Sequence, residues 1–148
     1  MEVRERLGSL MPYTYKVIEV VKVIDADTIR VELDLGFHMR YVCTARLYGI
    51  NAPEVRGAEK EKGKAATECL KELIEGADLW CRTLTNHKKR QGKYGRWLID
   101  LFAERKDGHI NCNRELIRRG HAVPYLADYA SVGIPPKNDN RSLDDPDK

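Results

Sequence analysis

The sequence lacks the features that mark several large protein classes. Its four cysteines, Cys43, Cys69, Cys81 and Cys112, are widely spread, with no CxxC pair and no histidine at ligand spacing. A zinc site is therefore not expected. His38, His87, His109 and His121 form no HxH or HxxxH pair, so they read as surface or core-edge groups. No apolar run reaches the length of a membrane span, and Met1 to Arg6 is too charged for the apolar core of a secretory leader. The expected location is intracellular and cytoplasmic, without a membrane partner. There the thiols stay reduced and pack as small hydrophobes. Phenylalanine and tryptophan occur only twice each. Trp80 and Trp97 fall in strand-like runs and read as core residues, not as base-stacking platforms. The net charge of +3 permits a polyanionic partner without arguing for one.

What is present is enough for one globular core. The chain of 148 residues is 42% hydrophobic and has no low-complexity block. That length supports one domain with a real core and is short for two. Residues 13–24 are rich in Tyr, Val and Ile and read as a strand. Asp25-Ala26-Asp27 interrupts it. Ile29, Val31 and Leu33 then alternate inward with Arg30 and Glu32 outward, up to a turn at Gly36. From His38 to Tyr48, Met39, Tyr41, Cys43, Ala45 and Leu47 share one face. Arg40, Thr44 and Arg46 share the other, which turns Arg46 away from the core.

The period changes to helical between about residues 58 and 75, where Ala66, Cys69, Leu70, Leu73 and Ile74 form a stripe. Gly76 stops that helix, and Gly63 is a weak point that could shift its start. Strands resume at 78–85 and 96–103, with a tight turn at Asp107-Gly108. A short helix follows from about Asn113 to Arg119. The expected fold is α+β and mainly β: a five-stranded barrel of OB type, with a helix after the third strand and a second short helix after the fifth. Residues 1–12 read as an N-terminal extension, 13–130 as the domain and 131–148 as a polar tail.

Three clusters join charged residues to strand ends or turns: Asp25-Ala26-Asp27-Thr28, Arg46 to Glu54 (RLYGINAPE), and Lys93-Tyr94-Gly95-Arg96. Taken singly, each has a plain reading as a turn or a solvated sheet surface. Their residue types suit phosphodiester hydrolysis. Arg46 and Arg96 carry planar, permanently charged forks that pair with phosphate oxygens. Glu54, held behind Pro53, can act as a general base toward water. Oxygen donors from Asp27 and from residues 51–52 suit a hard cation.

In this order, and followed by CNRELIRRG at 112–120, the clusters resemble the thermonuclease, or staphylococcal-nuclease-like, family. The likeness runs from about residue 15 to 126. It implies an OB-type barrel and a metal-dependent nuclease acting on DNA, RNA or both with little sequence preference, leaving 3′-phosphates. Arg46, Glu54 and Arg96 match the family's catalytic trio. Asp27 matches a direct metal ligand, and Asp25 an acid that orders water on the metal. Ala52 could offer its backbone carbonyl as a ligand. Lys93 and Tyr94 match contacts to a neighbouring phosphate, and Tyr125 a tyrosine lining the nucleotide pocket. The implied cofactor is a divalent cation, Ca2+ first, with Mg2+ or Mn2+ as alternatives. A monomer is expected.

The chain departs from the pattern at Asn51, where the family has a metal-binding Asp. An amide keeps one oxygen but removes a charge, so weaker cation binding is expected. The Pro135-Pro136 pair also makes a third helix unsuited to the C-terminal stretch. The alternative function is a catalytically weak OB-type module that binds nucleic acid or protein. Such a module would be expected to lack the two arginines or Glu54, and to expose aromatics on its barrel face.

Overall fold

A computed structural model describes residues 13–83 and 96–125. Lys93, Tyr94 and His87 lie outside the described residues, as do the N-terminal extension and the polar tail.

Three long strands open the domain: β1 (Thr14–Asp25), β2 (Thr28–Gly36) and β3 (Met39–Leu47). They form an antiparallel meander, with Val20 opposite Val31 and Ile29 opposite Ala45. The register of β1 against β2 shifts three times, and such bulges add the twist and bend that a small barrel needs. A two-residue strand, β4 (Ile50–Asn51), precedes helix α1 (Lys60–Ile74). After the helix, β5 (Asp78–Thr83) pairs with β1, and β6 (Trp97–Arg105) pairs with β5. Closure comes from a parallel pairing of β6 with β3, in which Ala45, Arg46 and Leu47 face Trp97, Leu98 and Ile99. The result is a closed five-stranded mixed barrel, as the sequence pattern predicts.

Three further pieces complete the domain: the short helix was expected, and the two strands were not. Strand β7 (Gly108–Asn111) completes a hairpin with β6 through the Asp107-Gly108 turn. Helix α2 (Cys112–Arg118) follows directly, with the Asn111 side chain accepting from the Arg114 N–H at its start. A two-residue strand, β8 (Val123–Pro124), then pairs with β4.

The alternation predicted for β2 holds, since Ile29 and Val31 are fully buried and Leu33 is nearly so. On β3 it holds only in part. Cys43, Ala45 and Leu47 are buried, but Met39 and Tyr41 are exposed. They precede the segment of β3 that β6 covers, which begins at Ala45. All four cysteines are buried and unpaired by disulfides. Burial pushes the thiols of Cys81 and Cys112 up to about 12, which leaves them unreactive. Trp80 and Trp97 are half-buried rather than central. Trp97 Nε1 donates to the Tyr41 hydroxyl at 2.9 Å.

Asn113 ties α2 to the barrel seam. Its Oδ1 accepts from the Leu101 N–H at 3.0 Å, and its Nδ2 donates to the carbonyls of Ile99 and Tyr48, each at 3.0 Å. One buried amide therefore joins β6 to the turn after β3, the turn that leads into β4. No helix among the described residues is long and apolar enough to cross a membrane.

Candidate active site

At the end of the barrel where β1 turns into β2 and β3 turns into β4, charged side chains are buried. Asp27 and Arg46 are each only 6% exposed. Such burial is tolerated only when the charges are paired and hydrogen-bonded, and here they are. Asp27 Oδ2 accepts from the Ala52 N–H at 2.7 Å, and its Oδ1 accepts from the Thr28 hydroxyl at 2.9 Å. The Asp27 carbonyl takes the Leu47 N–H at 2.9 Å. This one residue therefore fastens the β1–β2 turn to both ends of the 47–52 segment.

Arg46 sits beside it, with Nη2 3.7 Å from Asp27 Oδ2. Its Nη1 donates to the Ile50 carbonyl at 2.9 Å and the Leu47 carbonyl at 3.3 Å, and Nη2 donates to Asn51 Oδ1 at 3.2 Å. The Tyr125 ring covers the guanidinium, 4.6 Å from ring centre to Cζ. That ring is placed by the β4–β8 pairing and by the Tyr125 N–H, which donates to the Gly49 carbonyl at 2.8 Å. The sequence correctly turns Arg46 off the barrel interior. It does not show that the loop folds back over the side chain and buries it.

Asp25, at the end of β1, accepts the Val55 N–H through Oδ1 at 2.9 Å. Burial raises its pKa above the ordinary carboxylate range. The Val55 N–H lowers it, and the neighbouring charges of Asp27 and Glu54 raise it again. Three acidic groups therefore share one electrostatic neighbourhood. Glu54 is exposed, on the loop between β4 and α1. Arg96 is half-buried just before β6. Arg96 immediately precedes the parallel seam, which begins with Ala45 opposite Trp97 and sets Arg46 opposite Leu98.

The structure thus gathers Asp25, Asp27, Arg46, Asn51, Ala52 and Tyr125 at one barrel end, with Glu54 on the loop above. Two contributors had no role assigned from the sequence: Thr28, which donates to Asp27, and Gly63, which lies against the Glu54 loop. Thr28 closes the Asp25–Thr28 cluster of the sequence, and the strand pairing sets it opposite Arg46.

Residues 44–139 match the staphylococcal nuclease homologue family. The chain belongs to that family. Within it, the 44–139 match covers Arg46, Asn51, Glu54, Arg96 and Tyr125 but begins after Asp25 and Asp27. Another relative is the uncharacterized protein MJ1439 of Methanocaldococcus jannaschii, 25% identical over 130 residues. That alignment covers 75% of this chain and 60% of MJ1439, so the chain spans less than two thirds of this relative.

The donors at this end fit a hard cation. Asp25, Asp27, Asn51 and the 51–52 backbone offer only oxygen, the donor type that Ca2+ and Mg2+ prefer. Among the described residues no group of three or more His, Cys, Asp or Glu side chains forms a metal cage. The Arg46 guanidinium stands near both Asp27 and Asn51 and supplies the positive charge that balances Asp27. Such a donor set suits a cation that keeps much of its water, rather than one fully enclosed by protein.

Proposed function

We propose that this staphylococcal nuclease homologue is a metal-dependent phosphodiesterase that cleaves DNA, RNA or both with little sequence preference and leaves 3′-phosphates. The observation that carries the reading is the buried Asp27–Arg46 pair, roofed by Tyr125 and set beneath the loop that bears Glu54. A fold that needed only stability would do as well with apolar side chains there.

Asp27, the Ala52 carbonyl and the Asn51 side-chain oxygen would hold the cation, with Asp25 behind them. The cation, Ca2+ first and Mg2+ or Mn2+ as alternatives, supplies electrostatic stabilisation of charge developing on the phosphate oxygens. Arg46 and Arg96 bind the scissile phosphate at the β3–β6 seam and neutralise its non-bridging oxygens. Arg46 must exchange part of its internal bonding, the Asn51 oxygen first, for the phosphate. Glu54, exposed and within the field of Asp25, takes the proton from the attacking water. Tyr125 lines the nucleotide side of Arg46, and Lys93 and Tyr94 contact the next phosphate. Recognition through the backbone predicts sequence tolerance, and the protein acts as a monomer in the cytoplasm.

A second reading, a weak or inactive binding module, draws on one observation: Arg46 is already engaged by Ile50, Leu47 and Asn51. A divalent-ion series (none, Ca2+, Mg2+, Mn2+) on end-labelled single- and double-stranded DNA and RNA separates the two. The proposal expects cleavage that EDTA abolishes and products carrying a 3′-phosphate. Binding without cleavage under every cation supports the second reading.

A further inference from the structure

Gly63 sits in the first turns of α1, on its buried side. Glycine is the poorest helix residue after proline, and its usual justification is a left-handed backbone. Here the backbone is ordinary helix, so conformation does not call for it. Space does. A β-carbon on residue 63 would lie 2.0 Å from the Glu54 carbonyl oxygen, 2.3 Å from the Glu54 carbonyl carbon and 2.8 Å from the Val55 nitrogen. All three are main-chain atoms, which cannot swing aside as the tip of a flexible side chain can. Helix and loop therefore touch backbone to backbone.

The same peptide is held from its other side. The Val55 N–H donates to Asp25 Oδ1 at 2.9 Å, and Asp25 ends β1. The Glu54–Val55 peptide thus lies between the helix wall at Gly63 and the barrel rim at Asp25. The Glu54 side chain is exposed, so its own packing contributes little to fixing where its carboxylate lies. Its main chain does that.

We propose that Gly63 is the positioning residue for Glu54: the missing β-carbon lets α1 seat the Glu54–Val55 peptide against Asp25, and so sets the distance from the carboxylate to the Asp27–Arg46 pair. This rests on the reading of Glu54 as the base. Gly63 touches neither substrate nor cation, and acts only through the loop. A displacement of about 1 Å at a catalytic group can cost on the order of a hundredfold in rate, and a β-carbon in this gap demands at least that shift.

The test compares Gly63→Ala in two backgrounds by steady-state cleavage of a labelled oligonucleotide at saturating cation. In the wild-type background kcat falls by about a hundredfold while KM stays within about twofold. In a Glu54→Gln background the same substitution lowers kcat by less than about threefold, because the group it displaces is already gone. An unchanged kcat, or an equal loss in both backgrounds, overturns the proposal. Amide hydrogen exchange gives a readout that needs no activity. Val55 exchange accelerates by about tenfold or more in Gly63→Ala while Ile29 and Leu101 in the barrel stay protected. Unchanged Val55 exchange overturns the proposal. If the wild type cleaves nothing but Val55 responds, the positioning stands and the hydrolytic reading fails. Where Gly63→Ala alone does not fold, adding Asp25→Ala releases the peptide on its far side and restores folding. Failure to restore it also counts against the proposal.

Discussion

The two ends of the barrel are made from the same strands and held together in opposite ways. At one end, where β1 meets β2, Asp27, Thr28 and Arg46 are all buried and bonded to one another or to the main chain of residues 47–52. At the other, Tyr15, Leu33, Cys43, Cys81 and Trp97 surround an apolar cavity of about 240 Å3. Beyond that cavity the β2–β3 hairpin projects into solvent, with Phe37 95% exposed. Phe37 and His38 both have positive φ, as a two-residue hairpin turn of this hand requires. Buried charge is costly and incomplete packing is less so. The polar end therefore fails when a partner is lost, and the apolar end fails only by degrees. An end kept polar at such cost is where chemistry is to be sought.

The sharpest way to break this contrast is Arg46→Met. It leaves the Asp27 carboxylate buried without its cationic neighbour, and should lower stability by roughly 3–5 kcal/mol while removing cleavage. Adding Asp27→Asn to that variant should recover part of the stability, since the uncompensated charge is gone, and none of the activity. Denaturant unfolding of both variants checks this. Equal stability of Arg46→Met and the wild type would mean the pair is not balanced as described.

At the apolar end the expected outcome is reversed. Cys81→Ser puts a hydroxyl into a fully buried apolar site and should cost about 1–3 kcal/mol, with kcat unchanged. A loss of turnover in folded Cys81→Ser would show that the two ends are coupled. Asn51→Asp probes the polar end more gently. It should tighten Ca2+ binding by ~1 kcal/mol, as charge is added to a hard-cation site. Calorimetry showing equal or weaker binding would assign Asn51 to holding Arg46 alone.

The smallest effect belongs to neither end. On α2, hydrogen bonds from Arg118 and Arg119 hold the Glu115 carboxyl down at about 2. A carboxyl lowered by folding adds stability above its ordinary pKa, and that stability fades as pH falls from there through about 2. Urea unfolding at pH 7 and pH 3 should show a narrower gap for Glu115→Gln than for the wild type. An unchanged gap contradicts the assignment.

Much of this was legible in the sequence because strand alternation and charged turn clusters are local signals. Ile29, Val31, Ala45 and Leu47 announce an inward face, and Asp25 to Thr28 and Arg46 to Glu54 announce where the chain turns with charge. What was not legible depends on partners far away in the chain. Tyr41 follows the inward alternation and is exposed, because β3 is covered by β6 only from Ala45 onward. The two-residue β4 and β8 exist only by pairing across more than 70 residues, which no local pattern encodes. Gly63 read as a flaw in a helix, because periodicity records which residues share a face and not what lies against it. Asn113 shows as part of a motif, yet its four-way tie across the seam becomes visible only with the fold.

The central claim, that the polar end turns over phosphodiesters and does not merely bind them, meets its most direct test in Glu54→Gln. This change keeps the side chain's size and hydrogen-bonding reach and removes the base. Glu54 is exposed, so stability should stay within about 0.5 kcal/mol of wild type. Turnover and affinity are measured on one oligonucleotide at fixed salt and saturating cation. The account predicts kcat lower by roughly two or more powers of ten with affinity nearly unchanged. A variant that cleaves at the wild-type maximal rate and binds more weakly would contradict it.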